Sequence, residues 1–221
     1  MSITRSPDTA LLLAGVLALA ACSGPAQGPA REESRTVEPF HAIAVRADGD
    51  VSVSVGRPQS LVVTGQQAAL PRLMTRVEKG VLIVDSVRKG WFQPQPAISL
   101  RVEVPALDSF AVHGAANVTI ENAAGPRLEL ALAGAGLLRA TGEVGALDAR
   151  LDGAGSLELA GLKVANASVS VNGTGNVAVH VTEQLEATVN GVGTIRYAGN
   201  PHEVVRHVNG VGSISPADNT P

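Results

Sequence analysis

Six near-copies of a Gly-x-Gly unit are the first place to look for chemistry in this chain. They read HGAAN, AGAGL, DGAGS, NGTGN, NGVGT and NGVGS, with first glycines at Gly114, Gly134, Gly153, Gly173, Gly191 and Gly210. A dinucleotide-binding loop needs a third glycine five residues after the first, so that a phosphate can approach the backbone. Those positions hold Thr119, Arg139, Glu158, Ala178, Arg196 and Ser215, which argues against that reading. Calcium-binding glycine-rich repeats need aspartates in register, and Asp152 stands alone in its column. Asp148 and Asp152 share one face of a strand, yet four residues of strand separate them by about 13 Å. Glycosidase carboxylate pairs lie roughly 5 to 9.5 Å apart. Ser156 and Ser213 follow second glycines, but without the Gly-x-Ser-x-Gly elbow that exposes a nucleophile. His41, His113, His180, His202 and His207 lack the spacing of metal ligands. No catalytic residue, metal or cofactor is therefore predicted. The competing function is a carbohydrate-active enzyme built on repeated strands, which would require two acidic or basic groups within catalytic reach of one another in a cleft.

The elements that position these residues repeat about every nineteen residues, since the first glycines lie 20, 19, 20, 18 and 19 residues apart. Counting each first glycine as zero, the even offsets −6, −4, −2, +4 and +6 give thirty positions. Of these, 27 are Ala, Val, Ile, Leu, Phe or Tyr, the exceptions being Asp108, Arg206 and Pro216. At the odd offsets −5, −3, −1, +3 and +5 only six of thirty are apolar. A period of two selects strands with one face inward, because a helix would repeat every three to four residues. Equivalent side chains stack about 4.8 Å apart when successive repeats run parallel and in register. The expected fold is all-β, a single-domain parallel β-helix with rungs of about 19 residues and no long helix.

Both glycines of each unit fall at inward offsets. Gly114, Gly134, Gly136, Gly153, Gly155, Gly173, Gly175, Gly191, Gly193, Gly210 and Gly212 are accordingly expected to form a structural corner, where a side chain would collide with the core and φ is positive. Ala116 replaces the second glycine of the first unit. Valine at Gly173 or Gly191 should cost more than valine at Gly24. Asn172, Asn190 and Asn209 precede their glycines in one column with Asp152. Stacked amides of this kind either stabilise the stack or hydrogen-bond a repeating ligand. Upstream, the stretch from Ile43 to Val55 continues the alternation, with Gly49 as first glycine and Val51 in place of the second. Further strand-like runs lie at 61–64, 81–84 and 98–104. The segment 86–95 reads as a loop whose Trp91 and Phe92 either cap the open end of the core or form a recognition loop.

Composition agrees with a narrow interior. The chain has 24 Gly and only five aromatic residues, and its 45% hydrophobic content is mostly Ala, Val and Leu. A net charge of −3 leaves no polycation for nucleic acid, and so few rings offer little for unpaired bases to stack on. Residues 1–21 have the form of an export signal, with Arg5 before the apolar run Ala10 to Ala20. That run is too short to span a bilayer. It ends Leu19-Ala20-Ala21-Cys22, the pattern of a lipobox, in which the cysteine is lipidated and becomes the new N-terminus. Cys22 is the only cysteine, so no disulfide framework is expected. Residues 22–36 read as the lipidated cysteine and a flexible tether, 37–216 as the folded domain, and 217–221 as a tail. The expected protein is exported and anchored to a membrane through Cys22. Ser23 after the lipid site favours the outer membrane if the cell is Gram-negative, with the domain facing the periplasm or the cell surface.

The lipobox, the strand-rich start, the run from Ile98 through Pro105 to Leu107 and the repeated Gly-x-Gly-x-[Ile/Leu/Val] units together resemble the bacterial family of putative auto-transporter adhesin head GIN domains. The resemblance spans roughly residues 38–216. It implies a right-handed β-helix-like fold on an exported, often lipid-anchored protein, and it carries no catalytic residues. The function expected from it is an adhesin or interaction module with a protein or glycan ligand.

Overall fold

The computed structural model describes residues 30–86 and 98–217. Thirteen strands form one open sheet. The only helical element among the described residues is a 3-10 turn at Leu70–Arg72. The early strands are β1 (Ala30–Ser34), β2 (Ala42–Arg46), β3 (Gly49–Val55), β4 (Ser60–Gln66), β5 (Leu73–Glu78), β6 (Val81–Ser86) and β7 (Ile98–Val104). The later ones are β8 (Ser109–Leu151), β9 (Ala154–Val171), β10 (Thr174–Val189), β11 (Val192–Gly199), β12 (Glu203–Val208) and β13 (Val211–Pro216).

The sheet runs β1-β4-β7-β3-β8-β9-β10-β11-β13, with β12 on β10, β2 between β6 and β8, and β5 on β6. Three pairs are antiparallel: β1 with β4, β4 with β7, and β5 with β6. All later pairs are parallel. Ala135 lies beside Ala154, Ala154 beside Thr174, Thr174 beside Val192 and Val192 beside Val211. These offsets of 19, 20, 18 and 19 residues are those of the glycine units, so equivalent residues of successive units become neighbours. The 43-residue β8 returns alongside itself, bringing Gly136 against the backbone of Ala116.

Alternation places the core. Of the 27 apolar residues at even offsets, 25 are buried, and the two that are not, Val204 and Val208, both belong to β12 at the edge. The three polar or proline exceptions, Asp108, Arg206 and Pro216, are exposed. The column Val118, Leu138, Leu157, Val177, Ile195 and Ile214 is buried throughout, with no member above 9% exposure.

Two expectations are corrected. Gly49 pairs with Ala116, and Val51 with Val118. Gly49 thus occupies the second-glycine position, and Ala47, whose carbonyl lies near Gly114, takes the first. Hydrogen-bond register, rather than the nearest glycine in sequence, sets the alignment. Secondly, Ala30–Ser34, at the end of the stretch read as tether, forms β1 on β4. All five of its residues are exposed, so no hydrophobic alternation betrays it. Just beyond, Arg35 is clamped: its guanidinium donates to the carbonyls of Leu73 at 2.6 Å and Leu70 at 2.9 Å and pairs with Glu33 at 3.0 Å.

Candidate functional site

The last four glycine units sit where strands break, whereas the first two lie within β8. Asp152–Gly153, Asn172–Gly173, Asn190–Gly191 and Asn209–Gly210 separate β8 from β9, β9 from β10, β10 from β11 and β12 from β13. Hydrogen bonding continues through the breaks. Thr174 N–H donates to the carbonyl of Gly153, Val192 to Gly173 and Val211 to Gly191, each at 2.8 Å. The glycines stack directly on one another. A Cβ on Gly153, Gly173, Gly191 or Gly210 would stand 2.1 or 2.2 Å from the carbonyl oxygen of the glycine one unit earlier. At Gly155, Gly175, Gly193 and Gly212 the same distance is 2.1 to 2.4 Å. The obstacle is therefore the neighbouring backbone more than the core. Among these glycines only Gly134 and Gly136 have positive φ, at 153° and 134°, so close approach is the general requirement and left-handed backbone a local one.

Beside the glycines runs a ladder of amides. Asn209 Nδ2 donates to Asn190 Oδ1 at 2.9 Å, Asn190 to Asn172 at 2.8 Å and Asn172 to the Asp152 carboxylate at 2.7 Å. Each amide is engaged by its neighbour, which favours the stabilising reading of the column over the ligand-binding one. Asn190→Ala removes two rungs from this exposed ladder and is expected to lower stability by about 1 kcal/mol, measured as a shifted urea midpoint with unchanged slope. No change would mean that the ladder contributes nothing beyond water.

The outward face between the bends carries two polar columns. In one, Thr64, Ser99, Asp50 and Asn117 are neighbours, and Leu137, Ser156, Asn176, Thr194 and Ser213 continue the same position. In the other, Arg139, Glu158, Ala178, Arg196 and Ser215 follow one another. Two shallow depressions lie on this face, one of about 410 Å³ over Ser156, Asn176, Thr194, Glu158 and Arg196. The second, about 310 Å³, is lined by Asp50, Ser52, Ser99, Arg101, Asn117 and Thr119. Arg139 pairs with Glu158 through Nε at 2.9 Å. Hydroxyls, amides and charges of both signs suit hydrogen bonding to a polar chain. Neither depression is lined by a histidine that would activate Ser156 or Ser99. Offset +3 reads Asn117, Leu137, Ser156, Asn176, Thr194 and Ser213 in the sequence, and that polarity is the available signal for this column.

Asp148 and Asp152 are not brought together as an acid pair. Asp148 binds Arg150 at 2.9 Å and Arg127 at 3.7 Å, whereas Asp152 ends the amide ladder. A histidine–carboxylate pair does form elsewhere, His41 Nδ1 to Asp108 Oδ2 at 2.9 Å, within a depression that also holds Ser109, Arg127 and Glu129. The His41 Nε2 edge packs on Gly80, where a Cβ would come within 2.6 Å, and the His41 N–H donates to the Gly80 carbonyl at 3.0 Å. The imidazole thus lies between Asp108 and Gly80. Among the described residues no group of three His, Cys, Asp or Glu side chains is placed to hold a metal. No described helix is long and apolar enough to cross a membrane. Cys22, Trp91 and Phe92 lie outside the described residues.

Residues 39–201 match the family model described as putative auto-transporter adhesin, head GIN domain. The fold is similar to that of a putative adhesin from Bacteroides fragilis, with a TM-score of 0.65 and 20% identity over 86% of this chain and 97% of that one. A protein from Parabacteroides distasonis described as a putative lipid binding protein aligns with a TM-score of 0.49 at 18% identity, over 86% of this chain and 98% of that one. No curated protein matches.

Proposed function

The chain belongs to the family of putative auto-transporter adhesins with a head GIN domain, and from that premise we propose that it is a lipid-anchored envelope protein that presents a rigid β-domain for adhesion. In this reading residues 1–21 direct export, Cys22 carries the lipid, and the following residues tether the domain to the membrane, the outer one in a Gram-negative cell. Several acyl chains on one residue anchor firmly, since each buried CH₂ contributes about 0.8 kcal/mol. The domain winds as a right-handed parallel β-helix with rungs of about 19 residues, and the paired glycines form its corner. The ligand is a polar polymer, a glycan strand or an extended protein segment, held by hydrogen bonds along the outward columns.

The observation that supports this most is the pair of polar columns through Ser156, Asn176 and Thr194 and through Glu158 and Arg196. Both follow the strand spacing of about 4.8 Å, which suits a repeating ligand. The experiment is adherence of cells carrying the full chain to surfaces coated with glycans or envelope extract. Paired Asn176→Ala and Arg196→Ala substitutions should weaken adherence roughly tenfold, the equivalent of about 1.4 kcal/mol, at unchanged thermal stability. Cys22→Ala should abolish it by releasing the domain from the membrane. Adherence indifferent to all three changes would overturn the proposal.

A further inference from the structure

The two ends of the sheet are built to opposite rules. At one end β1 lies antiparallel on β4 and exposes Arg31, Glu32 and Glu33, while β5 lies antiparallel on β6 and carries the Arg76–Glu78 pair beside exposed Met74. Charges along a free edge discourage another strand from adding there. At the other end, among the described residues, β12 is paired only with β10, and β13 only with β11. Val205, Val208 and Val211 are 39%, 44% and 75% exposed. The cation of β12 is turned away from the free edge, because Arg206 Nη2 donates to the Tyr197 hydroxyl and its guanidinium lies 5.4 Å from the ring centre. This edge has neither a lysine nor an internal proline to protect it.

We propose that β12 pairs antiparallel with β12 of a second copy of this chain, about a two-fold axis through Val205. That register sets Val205 against its own counterpart and Glu203 opposite His207 of the second copy, once on each side of the axis. On the inward face the same register sets Val204 opposite Arg206 of the second copy. The occupant is a second copy because this register places the Glu203 carboxylate, an acceptor, opposite the His207 imidazole, an N–H donor, on both sides of the axis. Closed two-fold pairing is also the mode left open by the charged first end, which opposes head-to-tail growth. The position of the tether gives the pairing a use, and this part rests on the adhesin reading above. The chain enters the sheet at β1, the far end from β13 in the strand order. Two copies joined at β12 carry their anchors at opposite extremes, as a contact between two apposed membranes requires.

Sedimentation equilibrium on the chain from Ser23, which keeps every described residue, tests the pairing up to about 100 µM, a concentration that detects contacts worth about 5.5 kcal/mol. The expected result is a dimer that Val205→Lys dissociates without altering the circular dichroism spectrum, and that Met74→Lys at the other end leaves intact. Glu203→Lys and His207→Glu should each weaken association roughly tenfold, and the double variant should recover most of that loss, because Lys and Glu side chains then face each other. A monomer throughout, or a dimer indifferent to Val205→Lys, would overturn the proposal. Clumping of cells that carry the full chain separates the two ideas. Dimers without clumping support the pairing and tell against the adhesin role, whereas adherence to coated surfaces by a strictly monomeric chain keeps that role and removes this partner.

Discussion

Gly173→Val is expected to destabilise the domain by about 3 kcal/mol or more, while Thr174→Val next to it changes stability by less than about 0.5 kcal/mol. The Gly173 Cα faces the carbonyl oxygen of Gly153, which a Cβ would approach to 2.1 Å, with the Gly153 nitrogen at 2.9 Å. That carbonyl already accepts the N–H of Thr174 at 2.8 Å. It cannot retreat from the new side chain without losing this bond and opening the parallel ladder on both sides. Thr174 projects outward between two glycines, and its neighbour one unit on is already a valine, Val192. The contrast therefore separates close backbone approach from β-branching. Gly56→Ala separates it from backbone conformation, because Gly56 has φ of 82° with nothing within 4 Å of its missing Cβ. There only the left-handed penalty of about 1–2 kcal/mol applies. Urea unfolding of the three variants checks the order, and a Gly173 variant as stable as the Thr174 variant would refute the stacking.

Leu157→Ala should cost about 3 kcal/mol, within the usual range for a fully buried leucine. Leu157 is 0% exposed and is flanked in register by Leu138 and Val177. The strands above and below hold those neighbours at fixed spacing, so the surroundings have little freedom to collapse into the space left behind. Leu137→Ala, one residue along the adjacent strand and on its outward face, should cost less than about 1 kcal/mol. Thermal melts of the pair test the alternation directly, since these two leucines on neighbouring strands are predicted to differ by about 2 kcal/mol. Equal midpoints would mean that the inward and outward assignments are wrong.

These contrasts show why so much of the fold is legible in the amino-acid sequence. The interior takes mostly Val, Leu, Ile and Ala at every second position, so the column through Val118, Leu138 and Leu157 stands out from residue types and spacing alone. The glycine period announces the parallel offsets for the same reason, since Gly153 and Gly173 leave room for each other's backbone only if they are stacked. What stays hidden lacks that signature. β1 is exposed at every position and polar after Ala30, because it only borders the sheet. The pair formed by His41 and Asp108 joins residues 67 apart that meet only through strand pairing. Spacing alone aligns Gly49 with the wrong glycine of its unit, because it does not reveal which partner the hydrogen bonds select. The outward columns are readable as polar positions, but polarity by itself resembles ordinary solvation. Register turns them into rows that a ligand can follow.

The most direct test of the central claim is protease treatment of intact cells that carry the full chain, with a cytoplasmic protein followed in the same sample. For a lipid-anchored adhesin displayed on the cell, added protease should remove the β-domain while the cytoplasmic marker survives, and a Cys22→Ala chain should no longer fractionate with the membrane. A domain protected as completely as the cytoplasmic marker, in cells whose surface proteins are cleaved, would contradict it.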